Sequence, residues 1–514
     1  MPKRKSTFDL PIFDEKPAAP LRQWLYRQLR AAILAGRLEP GARLPSSRSL
    51  AAQYGMARGT VVEAFEQLAS EGYVRGGVGA GTFVRANLPD ALLQSDPRAT
   101  RGHAAIPAEP SASLSRRAAA LQKWSSSVGA HPRTIALFNP YLPALEEFPL
   151  ALWGRLVSRR AHALDRSLLG DDDARGYLPL RRNIAHYLAM TRGISAHPDQ
   201  ILVLSSVQQA LDLSARLLLD EGDAAWIEDP GYPGAREVLG QARTRLVPVP
   251  VDGAGMQVNA GKRSCGSARL VYLTPARQAP LGVGLALSRR LELLDWAAQS
   301  GAWIFEDDYD GEFRYRGRPL AALHAIDPHG CVIYAGSFSK TLFPALRISY
   351  LVVPPSLVDA FAAARSLTTR YAPVLEQAVL SDFIEQGHYA RHLRRMNTLY
   401  AERRAALVTA VDAAPQVFES IAGDEAGLAL VAWLKSGLTE QDAVRAGRDC
   451  RLFIHPLGPY VMNNRQRPGL ILGFAAGTPG QLRHAVSAFV AAIAPDGVGC
   501  RVRNRDGKRR APTT

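Results

Sequence analysis

From about residue 135 onward, short apolar runs alternate with longer stretches that have helical periodicity. The apolar runs are rich in Val, Ile, Tyr and Phe, and they read ILVLSS, AAWIED, RLVYLTP, AWIFEDDYD and CVIYAGSFS. Stretches such as VQQALDLSARLLLDEG and LSRRLELLDWAAQSG separate them. Because parallel strands need a crossover connection, usually a helix, this alternation predicts a large α/β domain with a helix-covered, mostly parallel sheet.

The net charge of the 514-residue chain, +15, is unevenly distributed. Residues 1–88 contain 13 Lys and Arg against 7 Asp and Glu, residues 89–134 contain 6 against 3, and residues 497–514 contain 6 against 1. Residues 135–496 contain 37 against 36, so the large domain is nearly neutral. Since Lys and Arg clusters gain from releasing the counterions of phosphates, the N-terminal excess favours a polyanionic partner. A solvated tail is the simpler interpretation of the C-terminal excess.

Composition divides the chain into four segments. Residues 19–86 form a small module, residues 87–134 have the Ala, Pro, Ser and Arg content of a linker, residues 135–495 form the large domain, and residues 496–514 are predicted to be a basic disordered tail. No apolar run reaches the about 18 residues that a membrane span needs, and the N-terminus lacks an apolar signal core. The four scattered cysteines suit a reducing compartment. We therefore expect a cytoplasmic protein with no membrane partner and no structural metal site.

The N-terminal module has the pattern of three helices followed by a β-ribbon. LRQWLYRQLRAAILA carries an apolar stripe, SRSLAAQYG has Ser46 and Ser47 as candidate N-caps, and RGTVVEAFEQLASEG opens at Ala57 or Arg58. YVRGGVGAGTFV alternates around glycines, as a two-stranded ribbon would. Two short helices at a tight turn followed by a ribbon are typical of a winged helix-turn-helix, whose third helix presents its first residues to the major groove.

In these matching residues the module resembles a GntR-type winged-helix DNA-binding domain over residues 19–86. The candidate contacts to double-stranded operator DNA are Arg43, Ser47, Arg48, Arg58, Gly59, Thr60 and Gly79. The resemblance itself implies four of them, namely Arg48, Arg58, Thr60 and Gly79. Any one of the arginines, taken alone, is equally typical of the surface of a small helical domain.

The segment YAGSFSKTLFPALRISY, residues 334–350, places Lys340 directly after an apolar strand. A lysine that forms an imine with an aldehyde cofactor needs partial desolvation, because desolvation lowers its pKa and frees the amine. Ser337, Ser339 and Arg347 add hydroxyls and a guanidinium that suit a phosphate dianion. An ordinary surface lysine after a strand is the alternative interpretation.

Three further segments carry groups of matching chemistry. Asp307 ends a strand in IFEDDYDGEF, where a carboxylate can hold a protonated pyridine nitrogen, and Tyr309 follows two positions later, within reach of a phenolate oxygen. Tyr232 lies in EDPGYPG and can stack on a ring, while SSVQQALDL, residues 205–213, offers a helix N-terminus to a phosphate. Each segment also has an ordinary alternative, a solvated acidic loop or a simple turn.

Jointly and in this order, the segments resemble a fold-type I pyridoxal-phosphate (PLP) aminotransferase domain over residues 135–495. With the winged helix, the whole chain resembles the MocR family of transcriptional regulators, and RGYLPLRRNIAHYLAMTRG and ARHLRRMNTLYAERR match as well. The resemblance implies PLP as cofactor, Lys340 as its Schiff-base lysine, Asp307 as the partner of the pyridine nitrogen, Tyr309 as the ligand of the ring oxygen and Tyr232 stacked on the ring. It implies that six residues surround the phosphate, Ser206, Val207, Gln208, Ser337, Ser339 and Arg347. It also implies a head-to-tail homodimer.

The sequence departs from the family pattern at three places. Ser206-Val207-Gln208 stands where Gly-Ser-Gln is usual, and Arg277 in TPARQAP replaces a common histidine, which we expect to alter contacts to the cofactor or an effector. In PGLILGFAAG, Leu470 and Ile471 stand where aminotransferases have the arginine that holds the substrate carboxylate.

The winged helix and the missing arginine at residues 470–471 favour a PLP-dependent transcriptional regulator that senses PLP, or an amino compound that reacts with PLP, in an aminotransferase-like domain. The alternative is a PLP-dependent aminotransferase with an accessory N-terminal domain. A DNA-binding dimer with a vestigial pocket is a third possibility. In each case the expected architecture is a winged helix-turn-helix plus a large α/β transferase domain with a mixed, mostly parallel sheet.

Overall fold

The computed structural model describes residues 20–77, 81–86, 136–163, 173–316, 321–463 and 467–493, together with the single positions 115, 118 and 170. The chain divides into two compact units between Leu114 and Ser115. The predicted tail, residues 496–514, and nearly all of the predicted linker, residues 87–134, lie outside the described residues.

The first unit is a winged helix-turn-helix, as predicted. Its helices are α1 (Leu21–Leu34), α2 (Ser47–Tyr54) and α3 (Arg58–Ser70), and its antiparallel ribbon consists of β1 (Val74–Gly77) and β2 (Gly81–Val84). The Ser46 hydroxyl accepts a hydrogen bond from the amide of Ser49 at 3.1 Å and so caps α2. The apolar stripes of the helices meet in a core that includes Leu25, Leu29, Val61 and Leu68, all fully buried.

The second unit is built on an eight-stranded sheet. Its strands are β3 (Ile201–Leu204), β4 (Ala224–Asp229), β5 (Arg245–Asp252), β6 (Gly255–Met256), β7 (Leu270–Leu273), β8 (Trp303–Asp308), β9 (Val332–Ser337) and β10 (Ser349–Val352). Their spatial order is β3-β10-β9-β8-β7-β4-β5-β6. The five strands from β9 to β5 pair in parallel, whereas β6 and β10 run antiparallel to their neighbours. The prediction of a mixed, mostly parallel sheet is therefore confirmed.

The helices of the unit cover both faces of this sheet and also pack against the smaller sheet that follows along the chain. They are α4 (Leu150–His162), α5 (Leu178–Arg192), α6 (Val207–Leu218), α7 (Pro233–Gln241), α8 (Val258–Ser264), α9 (Leu287–Ser300), α10 (Val358–Thr369), α11 (Val374–Glu385), α12 (His388–Asp412), α13 (Glu440–Asp449) and α14 (Pro479–Ile493). Successive strand residues point to opposite faces, so Val203 packs with Leu188 of α5 while Leu202 packs with Leu211 of α6. Because both faces are buried, the strands read as continuous apolar runs.

A second, smaller sheet follows along the chain. It contains β11 (Phe418–Ala422), β12 (Ala429–Leu434), β13 (His455–Pro456) and β14 (Gly469–Gly473), all antiparallel, in the order β11-β12-β14-β13. Leu470 and Leu472 of β14 point into a core shared with α12 and α14, and Ile471 points to the opposite face. Within the described residues, no helix combines the length and the apolar character that a membrane span requires.

Candidate functional site

A cavity of about 290 Å³ lies at the carboxyl ends of the parallel strands, the edge where α/β sheets hold ligands. Strands β8 and β9 end at this edge, and α6 begins there. All ten residues predicted from the sequence to surround a cofactor line the cavity. They are Ser206, Val207, Gln208, Tyr232, Asp307, Tyr309, Ser337, Ser339, Lys340 and Arg347.

The lysine of the site is only partly exposed. The Nζ of Lys340 donates to the carbonyl of Pro140 at 3.3 Å and lies 4.9 Å from the ring centroid of Tyr141. Burial lowers the pKa of Lys340 to about 8 from its ordinary 10.5, an effect that nearby Asp310 opposes and Arg277 reinforces. At neutral pH the amine is therefore much more often unprotonated than a surface lysine, as a nucleophile needs to be.

Asp307 is buried and is the second-to-last residue of β8. Its Oδ2 accepts a hydrogen bond from the Tyr272 hydroxyl at 2.6 Å, whereas its Oδ1 is buried with no hydrogen-bond partner among the described residues. Burial raises the pKa of Asp307 to about 7, the Tyr272 hydrogen bond opposes this, and Asp308 adds to it. A buried acceptor without a partner is costly, so this atom fits a ligand donor such as a protonated ring nitrogen.

Several residues that line the cavity carry the donor groups of an anion site. Ser206 caps α6, its hydroxyl accepting from the amide of Gln209 at 3.1 Å, and the helix N-terminus opens on the cavity at Val207. Arg347 is exposed there and forms no ion pair with a described residue. The Ser337 hydroxyl lies beside them and accepts from the amide of Ser339 at 3.2 Å. A helix N-terminus, hydroxyls and an unpaired guanidinium together fit a phosphate.

Two of the predicted tyrosines line the cavity. The ring of Tyr232 lies so close to Gly234 that a Cβ at Gly234 would come within 2.5 Å of it, so glycine is needed for this ring position. The hydroxyl of Tyr309 accepts a hydrogen bond from Nη1 of Arg277 at 2.7 Å. Burial raises the pKa of Tyr309, and the positive charge of Arg277 opposes that rise. Burial also raises the pKa of Tyr232, so both hydroxyls are protonated and able to donate at neutral pH.

Arg277, which replaces a histidine of the family pattern, is buried and directs all of its donors to the protein. Its Nε donates to one backbone carbonyl, Nη2 to two, and Nη1 to a hydroxyl and a carboxylate. The acceptors are Ala426 at 2.8 Å, Ala429 at 2.5 Å, Gly423 at 3.3 Å, the Tyr309 hydroxyl at 2.7 Å and Asp310 Oδ2 at 3.2 Å. The side chain thus joins the turn after β7 to residues 423–429 and to Tyr309.

Several lining residues were not identified from the sequence. The Tyr141 hydroxyl lies 2.8 Å from Nε2 of His455 and 2.7 Å from the hydroxyl of Tyr460, and both tyrosines line the cavity. More than 300 positions separate Tyr141 from its two partners, so no local pattern reports them. Tyr272 did leave a signal, because its hydroxyl interrupts the otherwise aliphatic strand β7.

Most of the predicted DNA-contacting residues of the winged helix are at least partly exposed. Arg58, the first residue of α3, is exposed, and its Nε donates to the Ser47 hydroxyl at 3.4 Å. Arg48 and Gly59 are exposed and Thr60 is partly exposed. Arg43, another predicted contact, is exposed and lies against Gly81 of the ribbon, since a Cβ at Gly81 would come within 2.7 Å of the Arg43 Nε. Gly79 lies outside the described residues.

Comparison with known proteins identifies both units. Residues 21–84 match the family model of bacterial regulatory proteins of the gntR family, and residues 156–489 match that of aminotransferase class I and II. The probable rhizopine catabolism regulatory protein MocR of Rhizobium meliloti is 38% identical over 487 residues, which cover 94% of this chain and 95% of that protein. The pyridoxine biosynthesis transcriptional regulator PdxR of Corynebacterium glutamicum is 30% identical, over 77% of this chain and 80% of that protein.

Among solved structures, the α-aminoadipate aminotransferase LysN of Thermus thermophilus, complexed with N-(5'-phosphopyridoxyl)-L-leucine, has a TM-score of 0.66 and 26% identity. The match covers 74% of this chain and 98% of that one. The predicted aminotransferase-like, PLP-binding class of fold is therefore confirmed. The chain belongs to the MocR family of transcriptional regulators, in which a GntR winged helix is joined to an aminotransferase class I and II domain.

Proposed function

We propose that PLP, alone or together with an amino compound, controls DNA binding by this regulator through the cavity of its large unit. The observation that carries the proposal is the buried Oδ1 of Asp307, which has no hydrogen-bond partner among the described residues. Asp307 lines the same cavity as Lys340, whose pKa is lowered by burial. An acceptor without a donor and a nucleophilic amine are the two groups that a pyridine aldehyde would satisfy.

In this proposal each of the ten residues predicted from the sequence has one role toward PLP. Lys340 holds the cofactor covalently, Asp307 accepts from its ring nitrogen, and Tyr309 donates to its ring oxygen. Tyr232 covers the ring. The phosphate is bound by Ser206, Val207, Gln208, Ser337, Ser339 and Arg347. When bound, PLP supplies an aldehyde that bonds reversibly to amines and a ring that withdraws electrons from them.

The residues of the chain perform the remaining work. Burial lowers the pKa of Lys340 and so raises the fraction of neutral amine, and the hydrogen bond from Tyr272 keeps the Asp307 carboxyl oriented at the end of β8. Arg277 fixes the hydroxyl of Tyr309. When its amine is not bonded to the cofactor, Lys340 would have the carbonyl of Pro140 and the ring of Tyr141 as its contacts.

On the DNA side, we propose that α3 enters the major groove with Arg58, Gly59 and Thr60, while Arg43, Ser47 and Arg48 contact phosphates and Gly79 approaches the backbone. The protein would act in the cytoplasm as a head-to-tail homodimer, so that two winged helices engage two half-sites. The effector must bind the DNA-competent and DNA-incompetent states with different affinities, otherwise it shifts nothing.

The experiment that tests this proposal is selection of bound oligonucleotides by the full chain with and without PLP. We expect a recovered operator whose affinity changes when PLP is added. The Lys340→Ala variant should bind the operator as the cofactor-free protein does, and it should not respond to PLP. Equal operator affinity of the native chain with and without PLP would contradict the proposal.

The alternative function, an aminotransferase with an accessory winged helix, draws support from the same cofactor residues. Against it stands Ile471, an apolar side chain that lines the cavity at the position of the expected substrate-carboxylate arginine. A screen of amino acids for multiple-turnover release of keto acid separates the two functions. We expect no such turnover.

A further inference from the structure

Strand β14 presents its middle residue to the cavity. Ile471 lines it, while its neighbours Leu470 and Leu472 point into the core against α12 and α14. The pairing of β14 with β12 sets this orientation, because Ile471 lies opposite Val431 and side chains alternate along a strand. The position that departs from the aminotransferase pattern is therefore part of the cavity wall.

The surroundings of Ile471 form an apolar wall. Ile471, Ala429 and Tyr460 all line the cavity, and they pack in one buried cluster with Leu281 and Val431. A carboxylate placed against such a wall would lose its hydration and gain no opposite charge, which is strongly unfavourable.

The positive charges of the cavity are either bound by the protein or assigned to the cofactor by the proposed function. In the described part of the lining, the cationic residues are Lys340, Arg277 and Arg347. Arg277 has five N–H groups, and five hydrogen bonds to protein acceptors occupy them, one to the carboxylate of Asp310. Under the proposed function Lys340 and Arg347 serve the cofactor. None of the three remains for the acid group of an effector.

We infer that the effector of this regulator is an amine whose other polar groups are uncharged, of the amino alcohol class, and not an amino acid. That the effector has an amine, which approaches Lys340, rests on the proposed function. That its other polar groups are uncharged rests on the apolar wall around Ile471. Neutral oxygens of such a ligand have partners within the cavity, because the hydroxyls of Tyr141 and Tyr460 can donate or accept.

The test compares matched pairs of probes on the PLP-loaded full chain. L-alaninol is titrated against L-alanine, and L-leucinol against L-leucine, at one pH, with the visible absorption of the bound cofactor as the readout. We expect each amino alcohol to bind about tenfold or more tightly than its amino acid, the scale of one hydrogen bond to a charged group. Equal or tighter binding of the amino acids, or no response to any of the four probes, would overturn the inference.

A variant reverses the preference. Ile471→Arg restores a cation on the wall, and we expect it to raise the affinity for L-alanine and L-leucine by about tenfold or more. Ile471→Met is the matched neutral control and should keep the amino alcohol preference. The cofactor absorption of each variant shows that its site is intact. If the native chain shows no cofactor absorption before any probe is added, the proposed function itself fails. If the chain shows cofactor absorption but binds the amino acids more tightly than the amino alcohols, only this inference is contradicted.

Discussion

The guanidinium of Arg277 donates a hydrogen bond of 2.7 Å to the hydroxyl of Tyr309, and the same guanidinium holds the carbonyls of Ala426 and Ala429. Tyr309 follows β8 of the large sheet, while Ala429 begins β12 of the small one. One side chain therefore sets the position of a proposed cofactor ligand relative to the small sheet. A displacement of residues 423–429 would therefore change the position of the Tyr309 hydroxyl.

We expect Arg277→Gln to destabilise the protein strongly. The substitution leaves the buried carboxylate of Asp310 without its ion pair and removes most of the hydrogen bonds to residues 423–429. Breaking a buried pair by removing one partner costs about 3–5 kcal/mol. Urea unfolding of the cofactor-free protein measures this loss.

The matched control is Arg316→Gln, because Arg316 is an exposed arginine whose nearest carboxylate, Asp424, lies 4.0 Å away. This variant should change the free energy of unfolding by less than about 0.5 kcal/mol. If the two variants lose similar free energies of unfolding, the buried contacts of Arg277 contribute no more to stability than those of an exposed arginine.

Covalent uptake of PLP should accelerate as the pH rises toward 8 and then level off. Because the pKa of Lys340 is lowered to about 8, roughly one amine in ten is neutral at pH 7, and each unit of pH below that reduces the fraction about tenfold. Stopped-flow absorption measures the rate.

The variant Lys340→Ala should show no absorption of covalently bound PLP. The control Lys262→Ala removes a partly exposed lysine paired with Glu292 and should leave that absorption intact. A rate that still rises steeply between pH 8 and 10 would mean that the amine has an ordinary pKa.

The cofactor-facing residues were predictable from the sequence because each belongs to a local pattern. Lys340 follows an apolar strand, Asp307 ends another, and Ser206 precedes an amphipathic helix. In a parallel sheet the carboxyl ends of the strands share one edge, so finding the strand ends also locates the site. The matching groups could therefore be identified before their distances were known.

What the sequence could not predict depends on contacts between distant segments. The acceptors of Arg277 in residues 423–429 and the partners of Tyr141 are set by the packing of the second sheet beside the first, for which no periodicity exists. The antiparallel direction of β10 is a similar case. Residues 338–348 are too few for a helical crossover, so the chain turns back, but the apolar run alone does not reveal its direction.

Asp307→Asn should weaken PLP binding and stabilise the cofactor-free protein. Asparagine cannot form an ion pair with a protonated ring nitrogen, so we expect a loss in affinity of about tenfold to a hundredfold, measured by cofactor titration. Tyr272→Phe, which only removes the hydrogen bond to Oδ2, should lose less.

The effect of Asp307 on stability has a defined sign. The pKa of Asp307 is about 7 in the folded protein and 3.8 ordinarily, so the folded state binds more protons between these values. Its stability must then fall as the pH rises from about 4 to 7, and Asp307→Asn should remove that contribution. The melting temperature of the cofactor-free protein at pH 4.5 and 7 measures it. A variant that loses as much stability over this interval as the native chain would contradict the assignment.

The salt dependence of operator binding distinguishes phosphate contacts from a general attraction to DNA. Each phosphate that an arginine neutralises adds about 0.9 to the slope of log K against log salt concentration. The double variant Arg48→Ala, Arg58→Ala should therefore reduce that slope by as much as about 2 if both arginines contact phosphates, and by about 1 if Arg58 instead reads a base edge. In the second case, selected oligonucleotides should lose sequence preference at one position.

Arg27→Ala is the control, since Arg27 is exposed on α1 outside the predicted contacts. An unchanged slope and unchanged affinity in the double variant, measured by fluorescence anisotropy, would show that α3 does not bind the operator in the proposed way.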